Sequence, residues 1–384
     1  MKGNLKVVMK LNNNINLKKE DIRILNLRHL YEQFGYVHYK MNKFEEYDLY
    51  VTNKDFLSGD SIITFTDTNG KLLALKPDVT LSIVKNYQDA ENTVQKVYYN
   101  ENIYRTSKST KNYREIMQMG LECMGDLDIY HICEVLILAA KSLDTLADRY
   151  ILDVSHMGII QGFLQELNLK PKHEEKFLTL LRKKNIHGIR TLFDGLKIRD
   201  EYRESAITLA STYGSLSSVL KTLESISLNE TMDQAIEELD FICDILTSQG
   251  FTDVNLDFSM VNDMSYYNGV LFRGYIDGIP TGVLSGGQYD ELMDKMGKTS
   301  GAIGFAIYMD LIEDYDTSLE GYDVDILLLY DKADAPEVLF DAVQQLIADG
   351  YSVQTQHQIP AKLRYRKRMK FENGKIKEVS SDEL

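Results

Sequence analysis

An amide and a carboxylate lie on the same face of a predicted strand at 115–124. Gln118 and Glu122 alternate there with apolar residues, and successive side chains of a strand point to opposite faces. The two polar groups would stand about 13 Å apart at the backbone, and Gly120 between them clears space close to the sheet. This face could therefore border a ligand site, although the pattern alone is equally compatible with a solvent-exposed face.

Two later segments combine tyrosines with glycines near predicted strand ends. They are Tyr266-Tyr267-Asn268-Gly269 and Ser285-Gly286-Gly287-Gln288-Tyr289-Asp290. Glycine is common where a turn is tight or where another group approaches the backbone closely. Each segment alone is more often a turn that packs against the fold than a binding site.

Helices and short strands must position these segments. Hydrophobic spacing predicts a helix at 16–36, and Asn69-Gly70 between two apolar runs predicts a hairpin. The other predicted elements of this part are a helix entering at 77–87, a strand at 94–99, a polar loop at 104–113, a helix at 129–150 and a strand at 151–154.

The rest of the chain predicts a helical insert and a small α/β unit. Only helical patterns occur from about 158 to 250; strands are then predicted at 254–260, 269–276 and 282–284, and a helix opens within 301–310. From 323 the pattern is strand, helix, strand. The sequence has neither a Gly-x-Gly-x-x-Gly after a strand nor a Walker loop. Antiparallel, sheet-rich halves around a helical insert predict an α+β fold, unlike a doubly wound nucleotide-binding fold.

The composition is that of a folded chain with room for two or three domains. It has 384 residues, of which 44% are hydrophobic and 26% charged, which excludes a disordered chain. Its three cysteines, Cys123, Cys133 and Cys243, form no Cys-x-x-Cys pair. Since an odd number also argues against a disulfide framework, we expect them to be reduced and mostly buried, and we expect no zinc site.

The charge balance argues against a polyanionic partner. Lys and Arg number 43 against 58 Asp and Glu, a formal charge of −15, which disfavours binding of tRNA or DNA. The basic cluster at 362–370 is predicted to be a solvated helix face. No apolar run approaches the roughly 18–20 residues that span a bilayer, and the first ten residues lack a signal-peptide core. We therefore expect a cytoplasmic protein.

Five segments, taken in order, resemble the catalytic core of histidyl-tRNA synthetase, a class II aminoacyl-tRNA synthetase, over roughly 10–320. Leu75-Lys76-Pro77-Asp78-Val79-Thr80 is similar to the family's Leu-Arg-Pro-Glu-Gly-Thr. The other four are 103–125 (motif 2 and its loop), 262–269 (the histidine-specific segment), 285–290 (the family's Gly-Gly-Arg-Tyr-Asp) and 304–307 (the start of motif 3). The resemblance implies a class II antiparallel sheet flanked by helices at 1–320, with the insert at about 158–250. It also implies a truncated α/β domain at 321–384 in place of a full anticodon-binding domain.

The resemblance also implies that the synthetase reaction is lost. The family's histidine-specific arginine falls on Asn262, the motif 3 arginine that clamps ATP phosphates falls on Leu311, and the motif 2 glutamate falls on Ser107. Electrostatic stabilisation dominates catalysis of phosphoryl transfer, and one such arginine can be worth on the order of 10³–10⁵ in rate. We therefore predict no adenylate formation, no catalytic residue and no cofactor.

The family's amino-acid pocket is retained by position. The resemblance assigns histidine binding to Asp78, Thr80, Arg105, Gln118, Glu122, Tyr266 and Tyr267. Asp78, Thr80 and Gln118 can accept hydrogen bonds from an ammonium group, and Glu122 and Tyr267 can bond an imidazole ring. Arg105 is left to bind the carboxylate.

A retained pocket, a degenerate ATP site and a short tail resemble one paralogous family, the regulatory subunits of ATP phosphoribosyltransferase, the first enzyme of histidine biosynthesis. That resemblance implies a non-catalytic subunit that activates a short-form catalytic phosphoribosyltransferase and takes part in feedback inhibition by free histidine, without tRNA or membrane binding. Class II cores pair through the motif 1 region, here about 27–54, so we expect a dimer-based hetero-oligomer. A stand-alone histidine sensor and an active histidyl-tRNA synthetase are the alternatives.

Overall fold

The computed structural model describes residues 19–54, 57, 62–90, 92–106, 112–263, 266–315 and 322–379. One compact unit is Leu27–Tyr315, and the described residues before and after that range form a second unit. Among the described residues, no helix combines the length and the apolar composition needed to cross a bilayer. Cys123, Cys133 and Cys243 are free and buried, as predicted.

The described helices, in chain order, are α1 (Lys19–Gln33), α2 (Tyr47–Thr52), α3 (Thr80–Asn86), α4 (Ile129–Leu146), α5 (Met157–Leu167), α6 (Pro171–Arg182), α7 (Ile186–Leu196), α8 (Asp200–Ser211), α9 (Leu216–Glu224), α10 (Glu230–Ser248), α11 (Asp290–Lys295), α12 (Met309–Tyr315) and α13 (Pro336–Ala348). A 3-10 helix covers Phe258–Asp263.

The described strands are β1 (Val37–His38), β2 (Phe44–Glu46), β3 (Thr64–Thr66), β4 (Leu72–Leu75), β5 (Val94–Thr106), β6 (Tyr113–Gly125), β7 (Tyr150–His156), β8 (Tyr213–Ser215), β9 (Val254–Asp257), β10 (Val270–Ile276), β11 (Leu284–Gln288), β12 (Gly301–Tyr308), β13 (Val324–Leu329), β14 (Val353–Gln356), β15 (Tyr365–Glu372) and β16 (Lys375–Glu378).

A nine-stranded sheet is the frame of the larger unit. Its strand order is β1-β5-β6-β12-β11-β10-β7-β9-β8. Neighbouring strands are antiparallel except in the pairs β1–β5 and β7–β9. The long apolar helix α4, capped at its start by the Asp128 side chain, packs across β10 and β12. A largely antiparallel sheet covered by helices confirms the predicted α+β class.

A small three-stranded sheet precedes the main sheet along the chain. Its order is β2-β4-β3, and the β3–β4 hairpin turns at Gly70, whose φ is +80°. This hairpin is the one that Asn69-Gly70 predicts. The chain then enters α3, which begins at Thr80 because the Asp78 carboxylate accepts a hydrogen bond from the Leu81 N–H at 2.9 Å.

Several predicted elements are wrong in kind or extent. The segment 301–310 opens with a strand, β12, which pairs with β11 and β6 on its two sides; a continuous apolar run does not distinguish a fully buried strand from a helix. The predicted strand at 254–260 ends at Asp257. Within the predicted polar loop at 104–113, residues 104–106 belong to β5 and Tyr113 begins β6, while 107–111 lie outside the described residues. Finally, the helical insert contains a short strand, β8, which pairs with β9.

The second unit contains more strands than the sequence pattern predicts. Its sheet has the order β14-β13-β15-β16, with α13 between β13 and β14 in sequence. The basic segment at 362–370, predicted to be a helix face, forms most of β15 instead. Ile326, Leu328, Leu346 and Phe371 make its buried core.

Candidate functional site

The strands β5, β6, β12 and β11 form the floor of a cavity of about 190 Å³. Strand register sets the floor: Gly304 lies opposite Glu122 on one side and Gly287 on the other. The next row pairs Gly120 with Ala306. Small residues at these facing positions leave space next to the sheet. Larger side chains from the flanking segments enclose that space.

Two of the floor glycines are required by close contacts. A Cβ at Gly304 would overlap Oε2 of Glu122, and a Cβ at Gly120 would lie 2.6 Å from the Tyr99 hydroxyl. The space that Gly120 clears is thus occupied by Tyr99. Gly304 in turn makes room for the Glu122 carboxyl group.

All of the residues predicted to bind histidine line this cavity. They are Asp78, Thr80, Arg105, Gln118, Glu122, Tyr266 and Tyr267. Gln118 is 5% exposed and Glu122 is 2% exposed. The alternative of a solvent-exposed face for this strand is therefore wrong.

Several further residues of the cavity wall were not predicted as binding residues. They are Leu57, Val79, Tyr99, Ser285, Tyr289, Gly304, Phe305, Ala306 and Tyr308. Ser285 and Tyr289 lie in the Ser-Gly-Gly-Gln-Tyr-Asp segment, whose composition is a visible signal. Tyr99 is paired with Gly120, and Tyr308 with Gln118, on neighbouring strands of the sheet. The sequence of a single strand does not predict which residues of the next strand lie beside it.

Glu122 is the most deeply enclosed acid of the cavity. Its Oε1 accepts a hydrogen bond from the Thr80 hydroxyl at 2.8 Å, and its Oε2 accepts one from the Tyr289 hydroxyl at 2.6 Å. Burial raises the pKa of Glu122 to about 8, and the two hydrogen bonds oppose that rise. The charge of Asp78 nearby acts in the same direction as burial. The carboxyl group is therefore mostly protonated at neutral pH.

Asp78 and Arg105 are an interacting pair of charged residues in the cavity wall. Burial raises the pKa of Asp78, while the Leu81 N–H bond and the Arg105 charge oppose that effect. The Arg105 Nε donates a hydrogen bond to the Pro77 carbonyl at 2.9 Å. This bond holds the arginine beside the segment that carries Asp78 and Thr80.

Tyr266 and Tyr267 are placed by a reciprocal pair of hydrogen bonds. The Asn268 Nδ2 donates to Oδ2 of Asp290 at 2.9 Å, and the Asp290 N–H donates to Oδ1 of Asn268 at 3.0 Å. The Tyr267 ring lies over Gly287, where a Cβ would approach it to 2.7 Å. The two tyrosine-containing segments singled out in the sequence therefore interlock and form one wall.

The former synthetase positions hold no cation where the structure describes them. Leu311 is a half-buried residue of α12. Asn262 lies in the 3-10 helix, with its side chain outside the described part, and Ser107 lies outside the described residues. Among the described residues of the cavity wall, Arg105 is the only cation, and no described cluster of His, Cys, Asp or Glu could hold a metal ion.

This arrangement suits a small zwitterion better than a polyphosphate. Two acids, hydroxyl groups and an amide offer acceptors for an ammonium group and for ring N–H groups. One arginine offers donors to a single carboxylate. A triphosphate carries several negative charges and is normally held by more than one cation.

Comparison with known proteins gives consistent results. Residues 17–312 match the family model described as histidyl-tRNA synthetase. The chain is 28% identical to the ATP phosphoribosyltransferase regulatory subunit of Oceanobacillus iheyensis over 298 residues, which cover 77% of this chain and 73% of that protein.

Two solved structures share the fold. A Bacillus halodurans protein described as an ATP phosphoribosyltransferase regulatory subunit/histidyl-tRNA synthetase has a TM-score of 0.73 and 23% identity, covering 88% of each chain. A chain of the ATP phosphoribosyl transferase (HisG:HisZ) complex from Thermotoga maritima has a TM-score of 0.60 and 20% identity, covering 76% of this chain and 97% of that one.

Proposed function

The chain belongs to the histidyl-tRNA synthetase family, and we propose that within it this protein is a non-catalytic regulatory subunit of ATP phosphoribosyltransferase that binds free histidine. The observation that carries the proposal is the contrast within one site. The seven residues of the family's amino-acid pocket line one cavity, whereas the motif 3 position holds Leu311 and the histidine-specific position holds Asn262. A site of this kind retains amino-acid binding and lacks the charges for adenylate chemistry.

The cavity dimensions support an amino acid with a planar ring. Its volume of about 190 Å³ exceeds the roughly 150 Å³ of a cavity known to hold benzene. Glu122 is buried in the cavity wall and could accept a hydrogen bond from an imidazole N–H. Asp78 and Arg105, whose charges interact, could bind the amino group and the carboxylate of the same ligand. The positive charge of a bound imidazolium would favour the ionised form of Glu122. An ionised carboxylate has about four acceptor positions, so Glu122 could then bond Thr80, Tyr289 and the ligand at once.

The proposed partner rests on the relatives. Proteins of Oceanobacillus iheyensis and Clostridium kluyveri that align with 77% and 88% of this chain are both named regulatory subunits of ATP phosphoribosyltransferase. We extend that role to this chain: it binds a short-form catalytic phosphoribosyltransferase, raises its activity and confers sensitivity to histidine. In this role the chain supplies no group to the transfer reaction.

Self-association is part of the proposal. Tyr31 and Tyr36 of the predicted pairing region are core residues of the chain, while Val37 on the edge strand β1 is 68% exposed. An open sheet edge offers unpaired backbone groups with which another chain can pair, and this edge supports the proposed interface. A second copy of the chain is its proposed occupant.

Calorimetry with L-histidine tests the pocket. We expect the wild-type chain to bind histidine and the Glu122→Gln variant to bind it about 10–150-fold more weakly, the equivalent of a lost hydrogen bond to a charged group of about 1.5–3 kcal/mol. Glu115→Gln, on the exposed end of the same strand, is the matched control. Histidinol, which lacks the carboxylate, is expected to bind more weakly by a similar factor. Absence of heat with histidine, or equal affinity of the wild type and Glu122→Gln, would refute this assignment of the pocket.

A further inference from the structure

The segment that carries the two cavity tyrosines begins at Asp257. Strand β9 ends there, and Oδ1 of Asp257 accepts a hydrogen bond from the Ser259 N–H at 2.8 Å, which fixes the start of the 3-10 helix. Phe258 and Met260 of that helix are buried. Tyr266 and Tyr267 follow this short helix along the chain.

The same 3-10 helix contacts the helical insert. Helices α6 and α8 pack against it. Lys184, two residues after the end of α6, has a left-handed φ of +50°, and its Nζ lies 3.1 Å from the Asp257 carboxylate. One side chain of the insert is thus paired with the residue at which the tyrosine segment begins.

The carboxylate of this ion pair is buried, whereas the Lys184 side chain is 39% exposed. The Lys184 Nζ lies 4.5 Å from the centre of the Tyr213 ring. Asp257 is 8% exposed and Asp153, on the neighbouring strand β7, is 6% exposed. A buried carboxylate is costly without a cation, and Lys184 and Arg273 are the cations whose charges act on Asp153. Removing the Lys184 charge would leave Asp257 without this cation, near a second buried acid on the adjacent strand.

We propose that the Lys184–Asp257 ion pair couples occupancy of the cavity to the position of the helical insert. The inference rests on the proposed binding of histidine in that cavity. The tyrosine segment is held at one end by Asp257 and at the other by the Asn268–Asp290 bonds. A ligand that displaces Tyr266 and Tyr267 therefore acts on both attachment points of the segment. At Asp257, the displacement passes through the ion pair with Lys184 to α6 and the residues that follow it. By linkage, a change in the insert alters histidine affinity by the same factor.

Hydrogen exchange measured with and without L-histidine tests the coupling on the full chain. In the wild type, histidine is expected to slow amide exchange in residues 171–196 of the insert, and Lys184→Met is expected to abolish that response. The same variant is expected to change histidine affinity by at least about 5-fold, the lower end of typical coupling between sites. Lys183→Met, which alters the exposed neighbouring lysine, is the matched control and should behave as wild type.

Lys184→Arg separates the ion pair from a general effect on folding. This variant keeps the positive charge and is expected to retain both the exchange response and the affinity. If the wild type binds histidine but exchange in 171–196 does not change, the coupling is refuted while the histidine pocket stands. The coupling is also refuted if Lys184→Met responds as the wild type does. If the wild type gives no heat with histidine, the histidine pocket is refuted and the coupling falls with it.

Discussion

Replacement of Glu122 by glutamine tests whether the buried carboxyl group is protonated in the folded chain. The side chain has the same shape without a titratable proton, and it can still exchange hydrogen bonds with Thr80 and Tyr289, which lie 2.8 and 2.6 Å from the carboxyl oxygens. Alanine would instead leave both hydroxyl groups without this partner. Glutamine therefore isolates the charge from the packing.

The magnitude follows from the difference between the folded and unfolded pKa values. In the unfolded chain Glu122 ionises near 4.5, whereas burial raises its pKa to about 8 in the folded chain. Between these values the folded state holds a proton that the unfolded state has lost, so the free energy of unfolding falls as pH rises, by at most about 1.4 kcal/mol per pH unit. Between pH 6.0 and 8.5 this one group removes about 2–3 kcal/mol in the wild type. Glu122→Gln has no such loss.

Guanidinium titrations followed by circular dichroism at the two pH values measure this effect. The pH dependence of the wild type is expected to exceed that of Glu122→Gln by about 2–3 kcal/mol. Asp153, whose pKa burial raises to about 6, titrates in both proteins and cancels in the difference. Glu115→Gln serves as the control and is expected to follow the wild type. Parallel pH dependences for the wild type and Glu122→Gln would refute the inference that Glu122 is protonated at neutral pH.

Three further predictions concern chemistry, assembly and packing. Pure protein is expected to show no histidine-dependent ATP–pyrophosphate exchange, because Asn262 and Leu311 replace the two arginines; measurable exchange would contradict this. Light scattering at micromolar concentration is expected to show a dimer without the partner, and a monomer would contradict the proposed pairing region. Gly304→Ala is expected to lose about 1–3 kcal/mol of stability through overpacking and to lose histidine binding, because its Cβ would overlap the Glu122 carboxyl group. Gly195→Ala, with open space at the Cβ position, is the control, and equal stability of the two variants would show that the Glu122 carboxyl group can move aside.

The polar face of β6 was predictable because alternation along one strand is a local property. Gln118 and Glu122 share a face in any strand that includes both residues, and the structure places that face over the cavity. The residues paired with that face were not predictable in the same way. Tyr99, Gly304 and Tyr308 join it through register with neighbouring strands, and register depends on the packing of the whole sheet.

The wrong predictions have specific physical causes. Strand β12 is buried in the middle of the sheet, so its apolar run lacks the alternation that marks a half-buried strand. In β15 the exposed Arg366 and Lys370 alternate with Met369 and the buried Phe371. This period of two is typical of a strand, but the prediction of a helix face rested on the positive charge of the segment. At the two ends of the polar stretch, residues 104–106 and Tyr113 pair with each other's strands beyond the buried part of the sheet.

The most direct test of the proposed function is to mix the chain with a short-form ATP phosphoribosyltransferase. The two proteins are expected to elute together in size-exclusion chromatography, the initial rate of the phosphoribosyltransferase is expected to rise on addition of this chain, and histidine is expected to lower that rate. Glu122→Gln is expected to activate the partner while weakening the response to histidine. Separate elution together with an unchanged rate would contradict the central claim and would favour a histidine sensor that acts on another partner.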